Sequence, residues 1–283
     1  LPLLFRLSPE LLTNQYVLLP VAKAAKTLGT MLFVRPEDLT PSLAPFADNL
    51  IPCLTPYNIE AHDPLIHNSR VVELADGPGI DNALAGVRAA YPDIILLVGI
   101  GLDRQAAARA AALADSGVDT LHFYADDHGN ELNADQPRFL KEMIREVHLK
   151  LVDQATRQKI NLVFSGGIAM AEHVAKAIIC GADAVTVDHA LLIALECRLC
   201  GRCRDGLTCP VKLDEPLDAD WGRDRIINLV AAWQGQLIEL MGAMGIREAR
   251  RLRGEVGRSM WFENLEQEHF GPLFGERKVP GLG

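Results

Sequence analysis

The sequence predicts an α/β fold, a (β/α)8 barrel, from three observations. Eight short apolar, β-rich runs recur along the first 190 residues, separated by polar or helix-patterned stretches. The runs are almost continuously apolar rather than alternating, as expected of parallel strands covered on both faces. No long Gly/Ser-rich or Pro-rich linker divides them, so they belong to one unit that a closed barrel would complete. An open doubly wound sheet is the alternative that strand count leaves standing.

The runs occupy 3–5, 31–34, 50–54, 71–74, 94–98, 120–124, 162–164 and 184–187. Pro52 counts against the third, because proline removes a ladder donor. Ala83 to Ala90 and Arg104 to Ala114 are Ala-rich, end in turn signals (Tyr91-Pro92-Asp93 and Ser116-Gly117), and are predicted helices. Phe139 to Gln154 places Leu140, Ile144, Val147 and Leu151 at helical spacing. Glu172 to Cys180 closes on Gly181, a residue suited to the position after a helix. Pro56 to Ser69 is polar and reads as loop.

Three regions follow: a barrel over 1–190, a Cys-rich loop over 191–215, and a helix with a docking tail over 216–283. The helix is expected from about Asp224 to Met244, with Ile226, Val230, Trp233, Leu237, Met241 and Met244 on one stripe and Gly245 ending it. Gly235 and Gly242 within it each cost about 1 kcal/mol relative to Ala, which predicts close packing there. The aromatic tail (Trp261, Phe262, Phe270, Phe274) is expected to wrap its own barrel or to order on a partner subunit.

Composition narrows the function. With 283 residues, 49% hydrophobic and 23% charged, the chain buries a large core, which excludes fibrous and disordered classes. A net charge of −9 argues against nucleic acid as a partner. No apolar run reaches the ~18–20 residues of a membrane span. The chain opens on Leu1-Pro2 without Met or a visible signal peptide, and reads as a portion of a longer protein.

Four of six cysteines, Cys197, Cys200, Cys203 and Cys209, fall in a C-x2-C-x2-C-x5-C-P pattern. Thiolates at such spacing reach the irons of one cuboidal cluster, and a trailing Cys-Pro is typical of iron–sulfur loops. Zinc prefers two well-separated knuckles, and free thiols are the bland reading. Four ligands favour [4Fe–4S]; three would give [3Fe–4S]. The clustering also implies a reducing compartment, hence cytoplasm. A second signal is Ser165-Gly166-Gly167-Ile168 followed by Gly181-Ala182-Asp183-Ala184-Val185, at the seventh and eighth runs. Barrels of this class hold phosphate between those loops, and paired glycines let the backbone approach it. Ordinary turns also use such glycines.

From Ser165 to Val211 the chain resembles the FMN-binding domain of glutamate synthase. The resemblance rests on Ser165 to Ile168, Val174-Ala175-Lys176-Ala177, Gly181 to Val185, Ala190 to Cys197 and Thr208-Cys209-Pro210-Val211. Arg225-Ile226-Ile227-Asn228 and the long helix extend it. That family holds a [3Fe–4S] cluster on three cysteines, which Cys197, Cys203 and Cys209 match in order with one extra residue before the last; Cys200 is additional. The resemblance implies FMN over the barrel, with Ser165, Gly166, Gly167 and Gly181 near its phosphate and Asp188 and His189 beside it.

Departures are equally specific. The family's fourth strand reads I-E-I-K followed by G-Q-G-A-K-P-G; here Val71-Val72-Glu73-Leu74-Ala75-Asp76-Gly77-Pro78-Gly79 stands there, with no lysine or glutamine. Its fifth carries V-K, where Leu96-Leu97 is found. Its sixth ends G-G-D-G-G-T-G, against Ala125-Asp126-Asp127-His128-Gly129-Asn130, and its eighth ends G-T-A, against Asp188-His189-Ala190. Lysines would balance charge on a reduced flavin and hold an anionic substrate; leucine does neither, and Asp188 adds like charge near a phosphate.

The expectation is a flavin and iron–sulfur subunit passing electrons within a larger assembly, with a ferredoxin-like or NAD(P)H-oxidising flavoprotein as redox partner. The alternatives are a flavin-less barrel acting as an iron–sulfur relay or scaffold, and a glutamate synthase central domain proper. A divalent-metal hydrolase using Asp126, Asp127, His128, Asp188 and His189 is the minor reading. Cys53 and Cys180 read as buried small side chains, and His62, His67, His148, His173 and His269 show no ligand spacing. The run Arg247, Arg250, Arg251, Arg253, Arg258 reads as a solvated face.

Overall fold

A computed structural model describes residues 1–7, 15–203 and 205–255. The expected tail and Arg258 lie outside the described residues. In chain order the elements are β1 (Leu3–Arg6), α1 (Gln15–Leu28), β2 (Leu32–Val34), β3 (Leu50–Leu54), α2 (Asp63–His67), β4 (Val71–Ala75) and α3 (Ile80–Ala90). Then come β5 (Ile95–Gly101), α4 (Ala106–Leu113), β6 (Thr120–Tyr124), α5 (Leu140–Asp153), β7 (Asn161–Ser165) and α6 (Ala171–Cys180). Finally there are β8 (Ala184–Val187), α7 (His189–Ala194) and α8 (Ala219–Ala243). All eight strands pair in parallel and in order, and β8 returns to β1, so the sheet closes into a barrel.

Each strand is buried on both faces, for two different reasons. Outward side chains such as Phe5, Val34, Leu74, Val98, Phe123, Phe164 and Val187 join the helices in one continuous apolar core. Phe123 and Phe164 stack there with centroids 5.0 Å apart. Inward side chains divide into two zones. Toward the strand N-termini, Phe33, Ile51, Val71 and Leu97 form a separate small apolar cluster. Above it the interior turns polar. Pro52 lies within β3, a short strand whose neighbours still pair with it.

The crossovers are less uniform than the strands. Between β2 and β3 the chain uses two 3-10 turns (Pro36–Asp38 and Pro41–Asn49) instead of an α-helix. The polar connection 56–69 contains a 3-10 turn at Glu60–His62 and the one-turn helix α2. Helix α1 carries Pro20 in its interior, which hides its helical character in the sequence. It packs against α8, where a Cβ on Gly222 would stand 2.7 Å from Pro20 Cβ.

Helix α8 begins five residues earlier than expected, at Ala219, because Asp218 caps it by accepting from the amides of Asp220 and Trp221. Its stripe Ile226, Val230, Trp233, Leu237 and Met241 is buried, and Gly245 follows at φ +68°. The close-packing glycine is Gly222, however. Gly235 and Gly242 face open space, with nothing within 4 Å of where a Cβ would stand, so that expectation is overturned. No helix among the described residues is long and apolar enough to cross a membrane.

Gly99 shows how the interior is fitted. A methyl group there would run into the hydroxyl and ring of Tyr124 on the neighbouring strand. Gly99→Ala is therefore expected to lose about 1–3 kcal/mol in urea denaturation. Most of that loss should return in a Tyr124→Leu background; no rescue would mean the two positions do not share one space.

Candidate functional site

Function in barrels of this class sits at the C-terminal ends of the strands. Arg6, Tyr124 and Ser165 are the last residues of β1, β6 and β7. Their side chains point inward and down into a buried polar layer. Glu73 has 4% of its side chain exposed, and His122 none. His122 Nδ1 lies 2.5 Å from Glu73 Oε2, and its Nε2 lies 2.5 Å from Ser165 Oγ. Ser165 Oγ lies 2.6 Å from Thr186 Oγ1. Tyr124 donates to Glu73 Oε1, and Arg6 Nη1 reaches the same oxygen at 3.3 Å. The Arg6 guanidinium also lies over the Tyr124 ring, 4.2 Å from its centroid.

Burial opposes charge on Glu73, but His122, Arg6 and Tyr124 together outweigh it and hold the carboxyl at about 2. Burial likewise pushes His122 below its ordinary value and Tyr124 well above its own. The layer is thus a carboxylate with a guanidinium, a neutral imidazole and a phenol around it. Of these residues only Ser165 stands out in the sequence as a site candidate. The missed signal is polar residues at inward positions of otherwise apolar strands, Glu73 in Val71-Val72-Glu73-Leu74 and His122 in Leu121-His122-Phe123.

The Gly166–Gly167 turn leaves β7 with φ +103° and +70°, values that favour glycine. Side chains are excluded for a further reason. A Cβ on Gly166 would strike the Asp126 carbonyl, and one on Gly167 the Gly129 backbone, so the loop after β6 lies against this turn. His173 Nδ1 sits 3.2 Å from the Gly167 carbonyl. No hydrogen bond from the amides of Gly166, Gly167 or Ile168 is formed among the described residues. Three successive amides without a hydrogen bond among the described residues suit an anionic oxygen ligand. Gly181, by contrast, ends α6 at φ +134° against the His148 ring, at the strand N-terminal side. Its role is packing, not a place at the mouth.

Asp188 caps α7 by accepting from the His189 amide, which occupies the helix end a phosphate would use. Burial pushes its carboxyl up, and nearby Asp127 adds to that. His189 lies between two carboxylates, 3.9 Å from Asp127 and 3.8 Å from Asp188. Asp126 is spent within its own turn, accepting from the amides of His128 and Asn130.

The cysteine loop folds onto this same rim. A cleft of about 520 Å³ is lined by Cys197, Cys200, Cys203 and Cys209 together with Asp127, His128, Ala169 and His189. Glu196, Leu199 and Lys212 adopt positive φ (69°, 49° and 59°), which aims the chain inward at a conformational cost. The Leu199 amide donates to Cys197 Sγ at 3.4 Å, and the Cys209 amide is held by Asp214. Burial pushes the Cys197 thiol up, and Cys209, Cys203 and Cys200 push it the same way. Among the described residues no three His, Cys, Asp or Glu side chains converge tightly enough for a single metal ion. A cuboidal cluster takes one thiolate per iron and asks for a wider spread, which four cysteines around one cleft fit.

The aligned fifth-strand positions need correction. Leu96 faces outward into the main core, Leu97 lies in the lower interior cluster, and β5 runs on to Gly101. The inward positions near the mouth are Gly99 and Gly101. They bring no cation; Arg6 of β1 supplies one instead.

Comparison with known proteins places this architecture. The family model described as a conserved region in glutamate synthase matches residues 139–247. The archaeal glutamate synthase [NADPH] of Methanocaldococcus jannaschii is 28% identical over 85% of this chain and 58% of its own length. The archaeal-type enzyme of Dehalococcoides mccartyi is 24% identical over 83% of this chain and 58% of its own. The chain is a divergent relative of the glutamate synthases. It spans little more than half the length of these relatives. A mandelate oxidase structure bearing an FMN monooxide adduct superposes with TM-score 0.61 at 18% identity, over 90% of this chain and 78% of the oxidase. That likeness concerns the barrel fold.

The largest downward shifts, at His148 and Glu73, make stability fall in acid. Burial, then Arg157, Arg145 and Arg253, hold His148 at about 4 against an ordinary 6.5. Between those values the unfolded chain binds the extra proton, so stability falls as pH drops from about 6.5 toward 4. Glu73 adds a second loss as pH falls from 4.5 toward about 2. Urea midpoints against pH should show both windows, and His148→Gln should shrink the upper one without abolishing it, because His122 and His173 are also held below their ordinary value by burial.

Proposed function

We propose that the chain is the flavin- and iron–sulfur-carrying part of a glutamate synthase-type oxidoreductase. One observation carries the reading: the four-cysteine cleft shares its walls with the loops that follow β6, β7 and β8. A cluster on Cys197, Cys200, Cys203 and Cys209 would therefore adjoin a ligand seated on the Gly166–Ile168 amides. FMN, when bound, exchanges electron pairs for single electrons. The residues here do the rest. The Gly166, Gly167 and Ile168 amides would hold the phosphate, and the Leu199 amide, which donates to Cys197 Sγ, would help tune the potential of a cluster bound there. His189 lies between Asp127 and Asp188 at the rim.

The electron donor is proposed to be a ferredoxin-like or NAD(P)H-oxidising flavoprotein partner. Thiolate ligands of this kind suit a reducing, cytoplasmic setting. A second reading, a flavin-less iron–sulfur relay or scaffold, is favoured by Asp188 at the phosphate side and by the cation-free inward positions of β5.

Analysis of protein purified without oxygen separates the readings. About one FMN and about four irons per chain support the first. Iron without flavin selects the second, and zinc or vacant thiols overturn both. Glutamate formed from ammonia, 2-oxoglutarate and reduced viologen would show that synthase chemistry is retained.

Asp188→Asn keeps the cap but removes a charge. It is expected to tighten FMN binding about 3- to 10-fold at low salt in a fluorescence titration. Unchanged affinity would place the phosphate elsewhere.

A further inference from the structure

The buried layer has a direction. Glu73 accepts from Arg6 and Tyr124, and an ionised carboxylate can only accept, so the proton between it and His122 resides on Nδ1. His122 Nε2 is then an acceptor, Ser165 donates to it, and Ser165 Oγ accepts from Thr186. Every bond points from β8 toward Glu73. A serine, imidazole and carboxylate joined this way form a chain that accepts a proton at the serine end and finishes as an imidazolium against a carboxylate.

The groups that face His122 come from every part of the barrel. Glu73 of β4 favours the charged ring, and Arg6 of β1 opposes it. Tyr124 of β6 and Phe33 of β2 pack on it, with ring centroids 4.4 Å and 4.6 Å away. Ser165 of β7 holds Nε2, Thr186 of β8 holds Ser165, and Cys53 of β3 is paired in the ladder with Glu73. Arg6 and Glu73 cancel, so the layer is neutral while His122 is neutral. Negative charge arriving just above Ser165 meets no lysine on β5, only Gly99 and Gly101. Arg6 is already engaged by Glu73.

We propose that His122 is a proton-storing residue, which takes a proton through Ser165 when electrons reach the barrel mouth and releases it when they leave. The inference rests on the flavin reading above. Two electrons from an external reductant and one proton leave the flavin ring singly negative. A solvent proton joins Ser165 Oγ as the Ser165 proton passes to His122 Nε2. Only O–H and N–H bonds form and break.

The test is a reductive titration of the FMN-loaded full chain with dithionite in weakly buffered solution, counting protons taken up after subtracting those that dithionite oxidation itself releases. Wild type is expected to take about two protons per electron pair near neutral pH, and His122→Gln about one. Equal counts in the two overturn the proposal while leaving the flavin reading intact. A chain that binds no FMN overturns both. Two measurements do not depend on His122→Gln folding. In Ser165→Ala the uptake after rapid reduction should lag the flavin absorbance change; synchronous uptake overturns the route. Nitrogen NMR of histidine-labelled wild type should show His122 as the neutral Nδ1–H form, and an Nε2–H form or an imidazolium in the oxidised protein overturns it.

Discussion

A carboxylate deep inside a parallel barrel constrains almost everything around it. Removing Glu73 from water costs several kcal/mol, which only close, well-aimed partners offset. Those partners come from strands far apart in sequence: Arg6, His122 and Tyr124. The usual interior of such barrels is branched and apolar. Here that description holds only for the lower zone of Phe33, Ile51, Val71 and Leu97. The upper zone is given over to satisfying one charge, and Gly99 is bare because Tyr124 needs its space.

The rim obeys a related constraint. Asp127 and Asp188 would repel each other and any phosphate, and the His189 ring lies between them. The cysteine loop covers the same edge, so a cluster and a mouth ligand would share one electrostatic environment. The Gly166–Gly167 pair meets two demands at once. Its amides make no hydrogen bond among the described residues, and it lets the loop after β6 lie against it without a side chain between. Glycines read from sequence as phosphate-binding are thus equally required by packing, which is why the motif alone does not decide the ligand.

Reading the residues in order recovers all eight strands because each is apolar on both faces, a pattern that survives without knowledge of partners. The crossovers are harder. Pro20 masks α1, and the segment 36–49 is wound by local 3-10 turns that carry no long period. Gly235 and Gly242 read as contact points, wrongly, because a glycine in a helix records its cost but not which way it faces.

What the sequence determined by itself is the alternation that closes a barrel, the four thiols in one loop and the glycine turn after β7, since each depends on neighbours along the chain. What only the tertiary structure decided is the buried layer of Arg6, Glu73, His122, Tyr124, Ser165 and Thr186. Its members come from five strands spread over 180 residues, counting from Arg6 to Thr186. A polar residue in an apolar strand looks like a defect until closure brings its partner within hydrogen-bond reach, because electrostatic compensation acts through space and not along the chain.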